Sequence, residues 1–197
     1  MRFRLFALSW FLLLPLLLMA QDLNLEDINR SRLQKQKVSM LVLGSWAVGN
    51  IALGAGLAGR HEGSERYFHI MNAGWNAVNL GIAAFGYWSA AKADPASFGL
   101  AETLAENRRI QNLLLFNAGL DVGYVMGGLY LMERSRRGGD HADRLKGFGK
   151  SIILQGAFLF AFDLTAYFLQ AAENKKLDPL LSGLYFDGQR IGLVMQF

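Results

Sequence analysis

Four apolar runs, at residues 38–59, 67–91, 110–132 and 151–171, limit what this chain can fold into, and none of them contains a proline. A helix rises 1.5 Å per residue, so about 20 residues cross the roughly 30 Å of hydrocarbon in a bilayer. A backbone in hydrocarbon has to satisfy its own hydrogen bonds, which makes each run a predicted helix. Hydrophobic residues make up 52% of the 197, too many for an ordinary soluble domain of this size. The expected fold is therefore all-α: a four-helix transmembrane bundle, preceded by a signal peptide and followed by a short extramembrane β-hairpin or extended tail.

The flanking segments are read as follows. Residues 1–20 have the form of a secretory leader, with Arg2 and Arg4 ahead of an apolar core from Leu5 to Leu18 and Ala20 at the expected cleavage point. Leu18 stands where a second small residue is usual, so an uncleaved anchor is the alternative. Residues 21–37 are polar, and the spacing of Leu23, Leu25, Ile28 and Leu33 predicts a short amphipathic helix on the membrane surface. The transmembrane domain is placed at residues 38–173 and the extramembrane tail at 174–197. In that tail Asp178-Pro179 stops the last helix, Asp187-Gly188 is a turn dipeptide, and Ile191, Leu193, Met195 and Phe197 alternate with their neighbours, which predicts a β-hairpin. Such a terminal strand also resembles the closing strand of outer-membrane barrels, a reading at odds with four apolar helices.

A leader exports the mature N-terminus and puts the third connection in the cytoplasm. That connection carries Arg134, Arg136, Arg137, Arg144, Lys146 and Lys150, in keeping with the positive-inside rule. Arg30, Arg32, Lys35 and Lys37 then lie outside, against that rule. The expected location is the inner membrane, multi-pass, with lipid as the immediate partner.

Each run carries polar residues at helical spacing. His69, Asn72, Asn76 and Asn79 share a face of the second helix, Asn117, Asp121 and Tyr124 a face of the third, and Ser39, Trp46 and Asn50 a face of the first. Gln155 and Asp163 come from the fourth, and the lettering Asn72-Ala73-Gly74-x-Asn76 returns as Asn117-Ala118-Gly119-x-Asp121. Asn50, Asn76, Asn79, Asp121 and Asp163 fall near mid-depth, with Asn117 one helical turn from Asp121. Facing lipid would cost several kcal/mol, so the stripes are expected to meet inside. The spans hold no Lys or Arg at that depth, and at least one acid is expected to be protonated and to donate to an Asn carbonyl. Two readings of the acids stand: a proton or cation site in a small transporter or channel component, or interhelical hydrogen-bond glue worth about 1 kcal/mol per contact. Gly119, Gly123 and Gly127 form a small-residue seam, and Gly74, Ala77, Gly81 and Ala84 another. Each seam can take a helix of the same bundle, a second protomer or another membrane protein.

The chain lacks cysteine, which excludes disulfides and thiolate metal sites, and its three scattered histidines give no metal-site spacing. Its charge of +4 sits at the ends of apolar segments and forms no interleaved patch, so nucleic acid is not an expected partner. Phosphate loops, nucleophile elbows and metalloprotease motifs are absent, and neither catalysis nor a cofactor is expected. A carboxylate pair on adjacent helices brings membrane aspartyl proteases to mind, but Leu120-Asp121-Val122-Gly123 and Phe162-Asp163-Leu164-Thr165 depart from the Tyr-Asp and Gly-x-Gly-Asp patterns of that family. The leader, the four spans with Asn and Asp at mid-depth and the tail ending in Phe197 together resemble an uncharacterised family of small four-helix bacterial membrane proteins. That resemblance implies the layout and no activity. The leading expectation is a structural or interaction subunit.

Overall fold

A computed structural model describes the backbone of residues 3–172, 184–186 and 191–193, with side chains from Leu25 to Ala172. Four long helices make up nearly all of it: α1 (Phe3–Ala58), α2 (Gly63–Lys92), α3 (Leu100–Ser135) and α4 (Ala142–Ala171). A 3-10 turn, Pro95–Ser97, joins α2 to α3, and the Asp94 carboxylate caps it by accepting from the Ala96 N–H at 3.0 Å. Strands β1 (Leu184–Phe186) and β2 (Ile191–Leu193) pair antiparallel, with Tyr185 opposite Gly192. The Asp187-Gly188 turn and the alternating residues beyond Leu193 lie outside the described residues, as do Asp178 and Pro179.

The leader, the amphipathic segment and the first span are one helix, where three pieces were expected. No glycine or proline occurs between Leu16 and Leu43, so nothing in that stretch breaks the ladder. The apolar side of the segment expected on the membrane surface has a cover within the protein. Ile28 and Leu33 are buried, and Asn29 beside them bonds Thr103 on the first turns of α3. The α3 helix begins ten residues before its apolar run, and this extension is what the early part of α1 packs on.

Packing is most extensive between α1 and α2 and between α3 and α4, and α2 against α4 joins the two pairs. Glycines set these close approaches. A Cβ at Gly128 would lie 2.7 Å from the Gly149 carbonyl, and one at Gly54 would lie 2.7 Å from that of His69. At Gly147 it would run into the Ser64 carbonyl, where α4 meets the start of α2. The expected seam of Gly119, Gly123 and Gly127 is not among these contacts. All three are exposed, and a Cβ on any of them would meet nothing within 4 Å. Helix α4 instead lies on the face of α3 that carries Asp121 and Gly128, because burying the carboxylate outweighs close packing along the small-residue stripe.

Among the described residues three helices are long and apolar enough to cross a membrane: Leu25–Ala58 of α1, α3 and α4. The fourth predicted span, α2, is not in this set. Its 30 residues suffice in length, but His69, Asn72, Asn76 and Asn79 dilute its hydropathy, and three of those four are buried inside the protein.

Candidate functional site

The polar stripes meet inside, as expected, but they form two different structures. The first is an amide network across α1, α2 and α4. Its hub is Asn72, which donates through Nδ2 to Asn50 Oδ1 at 2.6 Å and accepts at Oδ1 from Gln155 Nε2 and from Ser151 Oγ. Gln155 Oε1 in turn accepts from Trp46 Nε1 at 2.9 Å, and Asn50 Nδ2 donates to the Trp46 carbonyl at 2.8 Å. Asn76 donates to the Asn72 carbonyl at 2.8 Å, and Asn79 reaches Asn76 Oδ1 at 3.4 Å. The Trp46 ring stacks on Phe158 with centroids 3.9 Å apart, closing the network toward α4. Asn76, Ser151 and Gln155 have no exposed surface. In hydrocarbon or a tight core each bond replaces an unsatisfied amide, so a network this complete holds the three helices in one register.

The second structure is the carboxyl pair. Asp121 on α3 and Asp163 on α4 are 2% and 5% exposed. Neither bonds an Asn amide, contrary to expectation, and Asp121 Oδ2 is buried with no partner. Both carboxyls line a cavity of about 390 Å³ between α2 and α3, together with Asn79 and Asn117. Here α2 and α3 meet edge-on through the Trp75 and Tyr124 rings, with centroids 4.9 Å apart. Val78, Ile82, Leu113 and Leu120 also line the cavity and are exposed, so it opens sideways on the apolar perimeter. Among the described residues no Lys, Arg or His contributes to its lining.

Of the six midplane residues, Asn79, Asn117, Asp121 and Asp163 are thus at the cavity, while Asn50 and Asn76 belong to the amide network. Asn72, the hub, sits on the predicted stripe but one turn away from mid-depth. Its signal was the Asn72/Asn76 pair at i, i+4, matched by Ser151/Gln155 at the same spacing on α4.

A third buried polar group has no counterpart among the sequence expectations. Asn29 exchanges hydrogen bonds with Thr103, at 2.9 and 3.2 Å, and accepts from Arg32 at 3.1 Å. The Arg32 guanidinium lies 4.8 Å above the Phe98 ring. This cluster ties α1 to the loop and to the α3 extension beyond the apolar runs. Among the described residues no group of three or more His, Asp or Glu is placed to hold a metal ion.

Fold and site together define a class: a predominantly helical protein, three of whose described helices are long and apolar enough to cross a membrane, with an amide-bonded interior and a buried carboxyl pair open to its side. Within that class, residues 42–164 match a family of unknown function, DUF6992, and the chain belongs to it. The matched stretch begins inside α1 and ends one residue past Asp163, so it contains the whole amide network and both acids. No curated protein and no solved structure matches the chain.

Proposed function

We propose that this is a polytopic inner-membrane protein without catalysis, and that the Asp121–Asp163 pair is its working site, a cation- or proton-binding site of a small transporter or channel component. The observation that carries this reading is the buried, unpartnered Asp121 Oδ2 beside a second carboxyl in an open cavity. Acids serving as glue would be saturated by amides, as the neighbouring network is; these are not, and intramembrane carboxylates without partners mark ion pathways. On this reading α2 crosses the membrane as well, its asparagines turned inward and Val78, Ile82, Phe85 and Trp88 turned to lipid. The mature N-terminus is outside and the Arg-rich connection between α3 and α4 in the cytoplasm.

A second reading, a structural or interaction subunit, draws support from the amide network and from the exposed Gly119/Gly123/Gly127 face, which is open to lipid or to a second protomer. Asp121→Asn and Asp163→Asn in reconstituted vesicles separate the two. Loss of pH- or cation-dependent flux at unchanged thermal stability supports the site. Wild-type vesicles with no such flux, together with variants that still assemble with their partners, favour the subunit.

A further inference from the structure

We propose that the cavity between α2 and α3 binds a lipophilic ammonium ion, a protonated primary or secondary amine on an apolar body, which enters from the side and places its N–H donors between Asp121 and Asp163. This rests on the reading of the carboxyl pair as a cation site and names the class of cation. Several features of the cavity lead there. Its volume, about 390 Å³, far exceeds what a proton or a bare metal ion occupies. Its lining joins the carboxyls and amides of Asp121, Asp163, Asn79 and Asn117 to an apolar wall that includes Leu113, Leu120, Val78 and Ile82. A hard metal ion takes six or more oxygens around it, and a wall of this kind supplies none on the open side. An elongated ligand with one charged end and one apolar end matches that division.

The charged end has to be a hydrogen-bond donor. An ionised carboxylate only accepts, and among the described residues no group donates to Asp121 Oδ2. With no Lys, Arg or His among the described lining residues, a bound cation supplies the missing counter-charge, and a second N–H can reach Asp163. The rings of Trp75 and Phe162 also line the cavity, and ring faces attract ammonium groups. An anionic lipid or fatty acid would be repelled by the pair, and a neutral acyl chain would leave Oδ2 unsatisfied. The exposed rim, where Val78 is 64% and Leu113 59% exposed, opens toward the medium in which a lipophilic amine concentrates.

The test uses the full chain in lipid nanodiscs, with empty discs as the baseline, and three probes: phenethylamine, its neutral analogue 2-phenylethanol, and benzyltrimethylammonium, which has the charge but no N–H. Calorimetry should show saturable one-site binding of phenethylamine. Asp121→Asn or Asp163→Asn should weaken it about ten-fold or more, as should either change of probe, since each removes a charge-assisted hydrogen bond. Val78→Trp, at the exposed rim, should block binding while leaving both carboxyls and the thermal transition intact. Equal binding of the alcohol, or undiminished binding in the double Asn variant, overturns the proposal. Sodium binding that depends on both acids, seen by sodium NMR in the absence of amine binding, overturns the ammonium assignment but keeps the cation site. Absence of either kind of binding overturns both.

Discussion

The Asn72 side chain makes three hydrogen bonds to residues on two other helices, more than any other in the interior network. Asn72→Ala should therefore strip partners from Asn50, Ser151 and Gln155 at once, costing about 2–4 kcal/mol at roughly 1 kcal/mol per contact plus the unsatisfied groups. Asn79→Ala, which loses one bond of 3.4 Å, should cost less than about 1 kcal/mol. Unfolding in detergent measures both, and equal losses would show that Asn72 is no hub. Outside the apolar region, Lys150 bonds Glu65 at 2.6 Å and holds its carboxyl below the ordinary value of 4.5. A carboxyl lowered on folding stabilises above its unfolded value, and that contribution disappears as pH falls through the lower folded one. The pair is largely exposed, so the effect should be small. Glu65→Gln should therefore lower stability slightly at pH 7 and converge on the wild type as pH falls below about 4.5, which flattens the acid limb of the stability profile. Which residues are polar in an apolar run, and on which face, was plain from the letters. Which amide bonds which was not, because Asn72, Asn76 and Asn79 share a face, and their partners depend on the depth at which α4 slides past α2.

Helix spacing decides the next level. The glycines at true crossings, Gly54, Gly128 and Gly147, sit where a Cβ would meet a neighbouring backbone, whereas the regular Gly119/Gly123/Gly127 series meets nothing. Gly128→Leu should force α3 and α4 apart and destabilise by about 3 kcal/mol or more, and Gly123→Leu should leave monomer stability within about 0.5 kcal/mol. If Gly123→Leu changes the oligomeric state in detergent at unchanged monomer stability, the seam belongs to a second protomer. Periodicity detects a stripe but cannot rank two stripes on one helix. On α3 the carboxylate stripe won the contact with α4, since burying Asp121 is worth more than the dispersion gained along three glycines. The α1 helix makes the same point in reverse. Its residues 21–37 read as a surface helix because their apolar face was visible and its cover, the α3 extension with Thr103, lay more than 70 residues away.

For the molecule as a whole, a chain without cysteine lends itself to measuring topology with single introduced thiols. Ala96→Cys, in the turn before α3, should react with an impermeant maleimide on intact spheroplasts, and Arg137→Cys, between α3 and α4, only after permeabilisation. The opposite pattern would invert the orientation proposed here. The sequence by itself determined that the protein is helical, that its helices have membrane-spanning length and that their polar faces turn inward, because hydrocarbon leaves a backbone and its amides no other way to be satisfied. Only the tertiary structure decided how the inward faces divide. Lateral offsets between packed helices brought Asn50, Asn72 and Gln155 into one saturated network and left Asp121 and Asp163 at an open cavity. Those offsets are set by glycine crossings and side-chain volumes across helices far apart in the chain, and no single helix's spacing contains them.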